Sequence, residues 1–327
     1  MELAISPSTP GLSVTELVDL CRLAEDLGYS QAWLAEVAGP DAFVLAAAIA
    51  QRTDRLEIGV GVVPAYTRTP AGLAMAAASV SQLMGGRPFR LGIGASSGVI
   101  VEQWHGLPFL HPLGRVRDAA LAVRTALAGQ ADYAGDTLTM SRFRSATIPA
   151  GPVPIFIGAL RPRMLALAGE LGDGVCLNLM PARVVIRQLA EVRRGAEGAG
   201  RELPGDFGVM ARLQTVVTDD PAAVREMLRN DFVGPYLAQP VYNRFLAWMG
   251  YEDEAEAVAR GWAARDRKAV AAALHDRLID DLVLVGDAGH VRNRLDEFAG
   301  AGLTVAALMV LTPSRSAFED TLRALAP

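Results

Sequence analysis

The hydrophobic positions of this chain alternate between two patterns. Short, nearly continuous apolar runs such as "FRLGIGA" (residues 89–95) are typical of strands that are covered on both faces. Between them lie longer segments whose apolar residues recur at helical spacing. The first of these begins at Ser13, has Glu16 three residues later, as in a capping box, and stops at Gly28. The pattern therefore predicts strands and helices in regular alternation.

Eight apolar runs predict strands, and each is followed by a predicted helix. The runs cover residues 2–6, 31–36, 55–63, 89–95, 153–159, 173–180, 207–217 and 303–311. Eight such units in one α/β chain favour a (β/α)8 TIM barrel, formed as a single domain over residues 1–327. A doubly wound open sheet is the alternative, but the sequence does not divide into the two halves that such a sheet requires.

The regular alternation is interrupted after the seventh predicted strand. Residues 221–281 contain Trp248, Trp262 and several helix-like segments without a clear strand. We expect a helical insertion here, which would cover the substrate side of the barrel. A smaller excursion before the fifth strand, residues 132–140, predicts a β-hairpin.

Composition narrows the possible function classes. The chain is 51% hydrophobic and 20% charged, and its net charge of −5 without a basic block argues against nucleic-acid binding. The apolar runs are too short for a membrane helix and no signal-like leader is visible, so we expect a cytoplasmic protein. Cys21 and Cys176 are expected to be reduced and buried, and the four histidines lack metal-binding spacing, so no metal is expected.

In a (β/α)8 barrel, functional residues follow the carboxyl ends of the strands. The residues at these positions are Ser6, Ser8, Glu36, residues 61–66, residues 94–97, residues 158–161, Asn178 and Met180. They are mostly small, and few of them can act as an acid or a base. This composition favours a pocket for a large flat ligand over a cluster of catalytic side chains.

The fourth unit contains a motif with other interpretations. "GASSG" (residues 94–98) matches G-x-S-x-G and would make Ser96 the nucleophile of a serine hydrolase. However, no oxyanion loop of the expected type is visible, and nothing points to His275 or His290 as the base. With the preceding "GI", the stretch is also a loose dinucleotide-binding pattern, which is weak by itself because glycines also permit tight turns.

The segment "IGALRPRM" (residues 157–164) is a candidate anion site. A strand ends at Gly158, and Pro162 takes the first position of the next helix, whose free backbone amides attract anions. Arg161 and Arg163 could bind a phosphate through charge-assisted hydrogen bonds. A solvated helix start with two surface arginines explains the segment equally well.

Three stretches of the chain resemble the luciferase-like monooxygenase superfamily, and in particular its branch that uses the deazaflavin coenzyme F420. They are "VGVVPAYTRTP" (residues 60–70), "LGIGASS" with "EQWHG" behind it (residues 91–106), and "PIFIGALRPRMLALAGELGDGVCLN" (residues 154–178). The resemblance extends over nearly the whole chain, including the insertion. It implies a (β/α)8 barrel oxidoreductase with a bound flavin-like cofactor.

The resemblance also implies where the cofactor binds. Gly59 and Gly61 lie inside the third predicted strand, where glycine marks a bulge or a close approach of another group. In this family that strand ends in a non-proline cis peptide, here Gly61–Val62, behind the central ring of F420. Glu36 would edge the pyrimidine ring, and backbone amides after the fifth strand would bind the phosphate. The residues placed around the cofactor are Glu36, Gly61, Val62, Gly94, Ala95, Ser96, Ser97, Gly158, Ala159, Leu160, Arg161, Met164 and Asn178.

Candidate catalytic residues are few. Relatives that reduce methylenetetrahydromethanopterin carry a glutamate after strand one and an aspartate in the fourth loop, where this chain has Ser6 and Ser97. This difference argues against that reaction. His105 and Glu36 are the remaining candidates for proton transfer, although a role of His105 in fixing a helix turn is the competing explanation. Arg68 and Tyr66 are expected to pack and pair rather than react.

We therefore expect an F420-dependent oxidoreductase that transfers a hydride between F420 and an unidentified small organic substrate. The cofactor would perform the redox chemistry, and the protein would bind and orient its ring. An FMN-dependent monooxygenase of the same superfamily, using O2 and a separate reductase, is the alternative. A serine hydrolase acting through Ser96 and a protein that binds the deazaflavin without turnover also remain open. The family resemblance further implies a homodimer.

Overall fold

Eight parallel strands form a closed barrel, because the eighth strand pairs with the first and the sixth with the seventh. The computed structural model describes residues 1–7, 11–312 and 314–327, so Ser8 lies outside the described residues. The barrel strands are β1 (Glu2–Ile5), β2 (Gln31–Leu34), β3 (Glu57–Pro64), β4 (Phe89–Gly94), β5 (Ile155–Gly158), β6 (Gly174–Asn178), β7 (Gly208–Val217) and β8 (Val305–Val310). The predicted (β/α)8 barrel and its eight strands are confirmed.

Helices follow the strands in chain order. After the first six strands come α1 (Val14–Asp26), α2 (Ala42–Ala50), α3 (Pro70–Leu83), α4 (Pro112–Leu127), α5 (Pro162–Leu171) and α6 (Ala182–Gly198). The capping box at the start of α1 is present, with reciprocal hydrogen bonds of 3.3 and 2.9 Å between Ser13 and Glu16. In the described part of the chain, no helix combines the length and apolar character needed to cross a bilayer.

The segment predicted as an insertion is helical. It consists of α7 (Pro221–Met227), a π-helical turn (Leu228–Val233), α8 (Gly234–Leu237), α9 (Pro240–Trp248), α10 (Glu252–Ala263), α11 (Arg267–Ala272) and α12 (Asp276–Leu282). Helices α13 (Ala288–Gly300) and α14 (Arg315–Ala324) precede and follow β8. The predicted hairpin is also present, as Tyr133–Ala134 paired with Thr139–Met140.

One strand is not predicted by the sequence pattern. Leu284–Gly286 pairs with the end of β7, Leu284 lying opposite Thr215. This strand follows α12 after a single residue, Val283, so its apolar residues continue the apolar face of that helix. No turn residue separates the two elements, and the local pattern therefore does not reveal the change from helix to strand.

The barrel interior is closed by side chains that alternate along the strands. Ala4, Trp33, Phe156, Cys176 and Met210 belong to one buried inner cluster. Because successive side chains of a strand point to opposite faces, residues two positions further along each strand also face inward, nearer the carboxyl ends. This places four polar side chains above the inner cluster, and they are Ser6, Asn178, Arg212 and Gln214.

The glycines inside the strands make room for the protein's own side chains. A Cβ atom on Gly59 would lie 2.6 Å from the indole of Trp33, and one on Gly61 would lie 2.7 Å from the Met210 methyl group. The side chain of Val62 approaches the next strands in the same way, since a Cβ atom on Gly158 would lie 2.9 Å from it. The close approach that the sequence indicates at β3 is therefore made by packed side chains of the interior.

Replacing Gly59 by alanine tests this packing. Trp33 is buried and cannot move away, so overpacking in G59A should lower the free energy of unfolding by about 1–3 kcal/mol. That loss should exceed the gain of about 0.5–1 kcal/mol from removing a strand glycine. The matched control is G198A, because a Cβ atom at Gly198 in α6 meets no atom within 4 Å. Urea unfolding should show a destabilised G59A and an unchanged or stabilised G198A; equal stability of the two would contradict the packing argument.

Candidate functional site

The carboxyl ends of the strands bring most of the predicted site residues to one rim of the barrel. Gly61 and Val62 lie in β3, Gly94 ends β4, Gly158 ends β5 and Asn178 ends β6. The residues that follow these strands or begin the next helix are Glu36, Ala95, Ser96, Ser97, Ala159, Leu160, Arg161 and Met164. The positions alone are consistent with a shared site on this rim, as a (β/α)8 barrel predicts.

The rim has its main irregularity in β3. The register of β3 against β4 shifts between Val60 and Val63, and the Gly61–Val62 peptide bond is cis. Arg212 of β7 reaches across the interior and donates a hydrogen bond from Nη2 to the carbonyl oxygen of Gly61. The bulge is therefore fixed from the inside by a positively charged side chain.

The loop after β4 begins a π-helix, Val99–Trp104, rather than a catalytic elbow. Ser96 has a left-handed φ of 64°, and Ser97 Oγ accepts a hydrogen bond of 3.4 Å from the amide of Ile100. Among the described residues, no histidine forms a hydrogen bond with Ser96; His275 instead caps α12, accepting from the amide of Leu278 at 3.1 Å. Within the described part of the chain, the geometry therefore places no histidine base beside Ser96 for a serine hydrolase.

His105 lies away from the barrel interior. It ends the π-helix, its amide donates to the carbonyl of Ile100 at 3.2 Å, and the residue is exposed. The structure thus places His105 as the residue that closes a helix turn, which is the second of the two explanations that the sequence allows.

At the start of α5 the Arg161 side chain remains as a candidate contact for an anion, whereas Pro162 has no N–H group and the amide of Met164 donates to the carbonyl of Arg161 at 3.1 Å. Arg161 is the N-cap residue, with Pro162 behind it and no side-chain hydrogen bond to the helix amides. Burial and the neighbouring charge of Arg244 lower the pKa of Arg161. The amide of Ala159 donates to the carbonyl of Cys176 at 3.0 Å, so the prediction that this amide binds the phosphate is not supported by the geometry. An anion here would contact the helix start and Arg161.

Glu36 is engaged by another side chain. Arg68 donates to both of its carboxylate oxygens, Nε at 2.8 Å and Nη2 at 2.6 Å, and also pairs with Asp41. The Arg68 guanidinium lies 4.8 Å from the centre of the Phe43 ring. The ion pair joins the loops after β2 and β3, and the geometry therefore favours a positioning role for Glu36. Proton transfer or contact with the pyrimidine ring is less favoured, because both carboxylate oxygens are engaged.

Tyr66 also packs rather than reacts. Its hydroxyl donates to the carbonyl of Leu110 at 2.6 Å, and its ring lies 5.2 Å from the ring of Phe109. Arg115 covers the same ring at 5.6 Å. Burial raises the pKa of Tyr66, so the hydroxyl stays protonated.

A polar network that joins Asn178 and Gln214 of the strands to Tyr236 and Tyr242 of the insertion was not predicted from the sequence. The side-chain amide of Asn178 donates to the hydroxyls of Tyr242 at 3.0 Å and Tyr236 at 3.3 Å, and its oxygen accepts from Gln214 at 2.9 Å. Burial raises the pKa of Tyr242 well above its usual value. Arg212 and Gln214 are polar residues at alternate positions of the largely apolar strand β7, and this pattern could have revealed part of the network.

A family model described as luciferase-like monooxygenase matches residues 2–305 of the chain. The chain belongs to this family.

Individual relatives match this chain over almost its whole length. A Mycobacterium tuberculosis protein named as a coenzyme F420-dependent oxidoreductase is 30% identical over 94% of this chain and 93% of its own. The 5,10-methylenetetrahydromethanopterin reductase of Archaeoglobus fulgidus is 29% identical over 90% and 89%. The solved F420-dependent tetrahydromethanopterin reductase of Methanopyrus kandleri has the same fold, with a TM-score of 0.80 at 22% identity, covering 100% of this chain and 98% of that one.

The Arg68 cluster, formed by Arg68 with Glu36 and Asp41, gives a stability prediction. In R68M the carboxylates of Glu36 and Asp41 lose their charged partner, which should cost about 1–3 kcal/mol at neutral pH. Burial would raise the pKa of Asp41, but hydrogen bonds from Val44, Arg68 and Phe43 lower it overall, below its ordinary 3.8. Because the pKa of Asp41 is lower in the folded than in the unfolded protein, its carboxylate stabilises the fold above pH 3.8. This contribution is lost as the pH falls through the folded-state pKa.

The wild type should therefore lose more stability than R68M when the pH is lowered from about 5 to 3. Urea unfolding at a series of pH values measures both effects. The control is R193M, at an exposed arginine of α6, which should match the wild type. Parallel pH profiles for R68M and the wild type would show that Arg68 does not set the pKa of Asp41.

Proposed function

We propose that this protein is an oxidoreductase that transfers a hydride between coenzyme F420 and an organic substrate. The observation that carries the proposal is the 30% identity, over more than nine-tenths of both chains, with a relative named as F420-dependent. Membership of the luciferase-like monooxygenase family supports the same class of chemistry. The chain would act as a single barrel domain over residues 1–327, with the helices of the insertion over the substrate side.

The residues at the rim fit a deazaflavin with a phosphate-bearing side chain. A flat ring would lie against the partly exposed Val62, whose side chain packs over Gly94 and Gly158 where these residues lack Cβ atoms. The start of α5 and Arg161 provide a site for the phosphate. The same rim contains buried polar atoms without a partner among the described residues, including Ser6 Oγ and Gln214 Oε1. These atoms could form hydrogen bonds with a ligand.

The protein's own contribution is binding and orientation. When bound, F420 supplies the ring carbon that accepts or donates the hydride. Arg212 holds the Gly61 carbonyl and so fixes the surface on which the ring would rest. Tyr236 and Tyr242 connect the insertion to Asn178 on the rim, which excludes water from this side. Hydride transfer needs no strong base on the protein, in agreement with the engagement of Glu36 by Arg68 and the exposure of His105.

A monooxygenase is the second candidate, because the family model that matches the chain is described as luciferase-like monooxygenase, and FMN would be its cofactor. We also propose, from the family resemblance, that the protein acts as a homodimer in the cytoplasm. Size-exclusion chromatography with light scattering measures the oligomeric state directly.

Titration of the purified apo-protein with F420 and separately with FMN distinguishes the two cofactors. We expect F420 to bind with a Kd of about 1 μM or lower, equivalent to about −8 kcal/mol, and FMN to bind much more weakly. Quenching of cofactor fluorescence gives both constants. Tighter binding of FMN would favour the monooxygenase, and binding of neither would remove the basis of the proposal.

The anion site is tested by R161Q. Loss of a charge-assisted hydrogen bond to the phosphate should weaken F420 binding by about tenfold, or about 1.4 kcal/mol. Arg163 lies two residues further on but is exposed, so R163Q carries the same change of charge as a matched control and should bind F420 normally. The deazaflavin without its phosphate side chain should bind R161Q and the wild type equally. Equal effects of R161Q and R163Q would show a general charge effect instead of a site.

A further inference from the structure

A surface cavity of about 510 Å³ opens within the insertion. It is lined by Glu226 of α7, Arg229 of the π-helical turn, Lys268 of α11 and Asp276 of α12, together with neighbouring residues of the insertion. Its volume is in the range of small-molecule sites. Because every lining residue belongs to the insertion, this cavity is distinct from the site at the strand ends.

Two carboxylates gather around one guanidinium in this cavity. Arg229 donates to Glu226 Oε2 at 3.1 Å, to the carbonyl of Leu274 at 2.7 Å and, through Nη2, to Asp276. These three acceptors fix the guanidinium, and the Arg229 side chain is only 16% exposed. Two negative charges against one positive charge leave the Arg229 triad (Glu226, Arg229 and Asp276) with a net negative charge.

Lys268 supplies a positive charge that no carboxylate neutralises. It is the only lysine of the chain, and it is exposed. Among the described residues its amine forms neither an ion pair nor a hydrogen bond, although the two carboxylates of the triad line the same cavity. Its three N–H donors can therefore bind an acceptor that enters from solution.

The positive and the negative group lie near opposite ends of α11. Lys268 is in the first turn of this helix, whereas the triad contains Asp276 and contacts the carbonyl of Leu274, both of which follow its end. From Lys268 to Ala272 the helix rises about 6 Å, and helical side chains lean toward the start of the helix, which increases the separation. Ala271 and Ala272 line the cavity along this stretch with methyl groups.

A ligand that satisfies both ends carries a cation for the triad, an anion for Lys268 and an aliphatic chain for the alanines. We infer that this cavity binds a linear zwitterion, with an ammonium group and a carboxylate at opposite ends of a short aliphatic chain. A simple anion leaves the triad unmatched, and a simple cation leaves Lys268 unmatched. An α-amino acid carries both charges at one carbon, so it reaches only one end. The inference goes beyond the proposed function and does not depend on F420.

The single lysine makes the site directly observable. Reductive methylation with 13C-formaldehyde keeps the charge of Lys268 and gives its amine one NMR signal, separate from that of the N-terminal amine. Titration with 6-aminohexanoate should shift this signal and saturate with a Kd of about 1 mM, as expected for a ligand of this size. The isomer 2-aminohexanoate should bind about fivefold more weakly, and so should hexanoate and hexylammonium, which each lack one charge.

Substitutions in the triad test its negative charge. E226Q and D276N each neutralise one carboxylate and keep the shape of the side chain, so each should weaken 6-aminohexanoate binding by about fivefold. The matched control is D231N, because Asp231 is exposed in the same π-helical turn but does not line the cavity. Its affinity for 6-aminohexanoate should equal that of the wild type. Circular dichroism confirms that each variant is folded.

Reversal of the lysine charge gives a readout that loss of structure cannot mimic. In K268E both ends of the cavity are negative, so this variant should lose 6-aminohexanoate and bind hexane-1,6-diammonium in its place. The wild type should show the opposite preference. Saturation-transfer NMR measures the binding of both probes to both proteins.

Several outcomes would overturn the inference. Equal affinity of the wild type for the two isomers or for hexanoate would show a site for a simple anion, and no saturable shift with any probe would show a solvated surface. Unchanged 6-aminohexanoate binding in both E226Q and D276N, or an unchanged preference in K268E, would exclude the charges named here. Titration with F420 tests the proposed function separately, because none of these probes requires the cofactor.

Discussion

Packing of large aromatic side chains inside the barrel is the constraint on which the rim depends. Trp33 and Phe156 are both buried, with ring centroids 5.1 Å apart. Because protein interiors are packed at nearly crystalline density, the strand beside Trp33 has no room for a side chain at Gly59. The same strand carries Gly61, where Met210 approaches from β7. The glycines of β3 are therefore determined by the interior before any ligand is considered.

The surface proposed for the deazaflavin ring follows from this packing. Val62 directs its side chain toward Gly94 and Gly158 and fills the space that a Cβ atom would take at both positions. Arg212 fixes the bulge by its hydrogen bond to the Gly61 carbonyl. The Val62 surface proposed for the ring is thus a product of the way the interior is filled, and the cofactor proposal uses a shape that the fold already requires.

The ionisable groups described here hold other groups in place or stay neutral, and do not act as acids or bases. Both oxygens of Glu36 are occupied by Arg68, and burial raises the pKa of Tyr242 and of the Cys176 thiol, which keeps these groups neutral. A protein that leaves redox chemistry to a bound cofactor needs binding, orientation and exclusion of water more than it needs an acid or a base. The polar contacts between Asn178 and the tyrosines of the insertion serve that purpose.

The sequence by itself determined the barrel, since eight apolar runs at regular intervals are local patterns that each specify one strand. The helical character of residues 221–281 was also predicted from local patterns. The strand Leu284–Gly286 was missed because its pairing with β7, unlike its apolar character, is not local. Only the tertiary structure decided which side chains meet at the rim. Glu36 and Arg68 are 32 residues apart, and Asn178 and Gln214 are 36 apart. Their contact depends on barrel closure and on the stagger of neighbouring strands, and no pattern within a single segment contains that information.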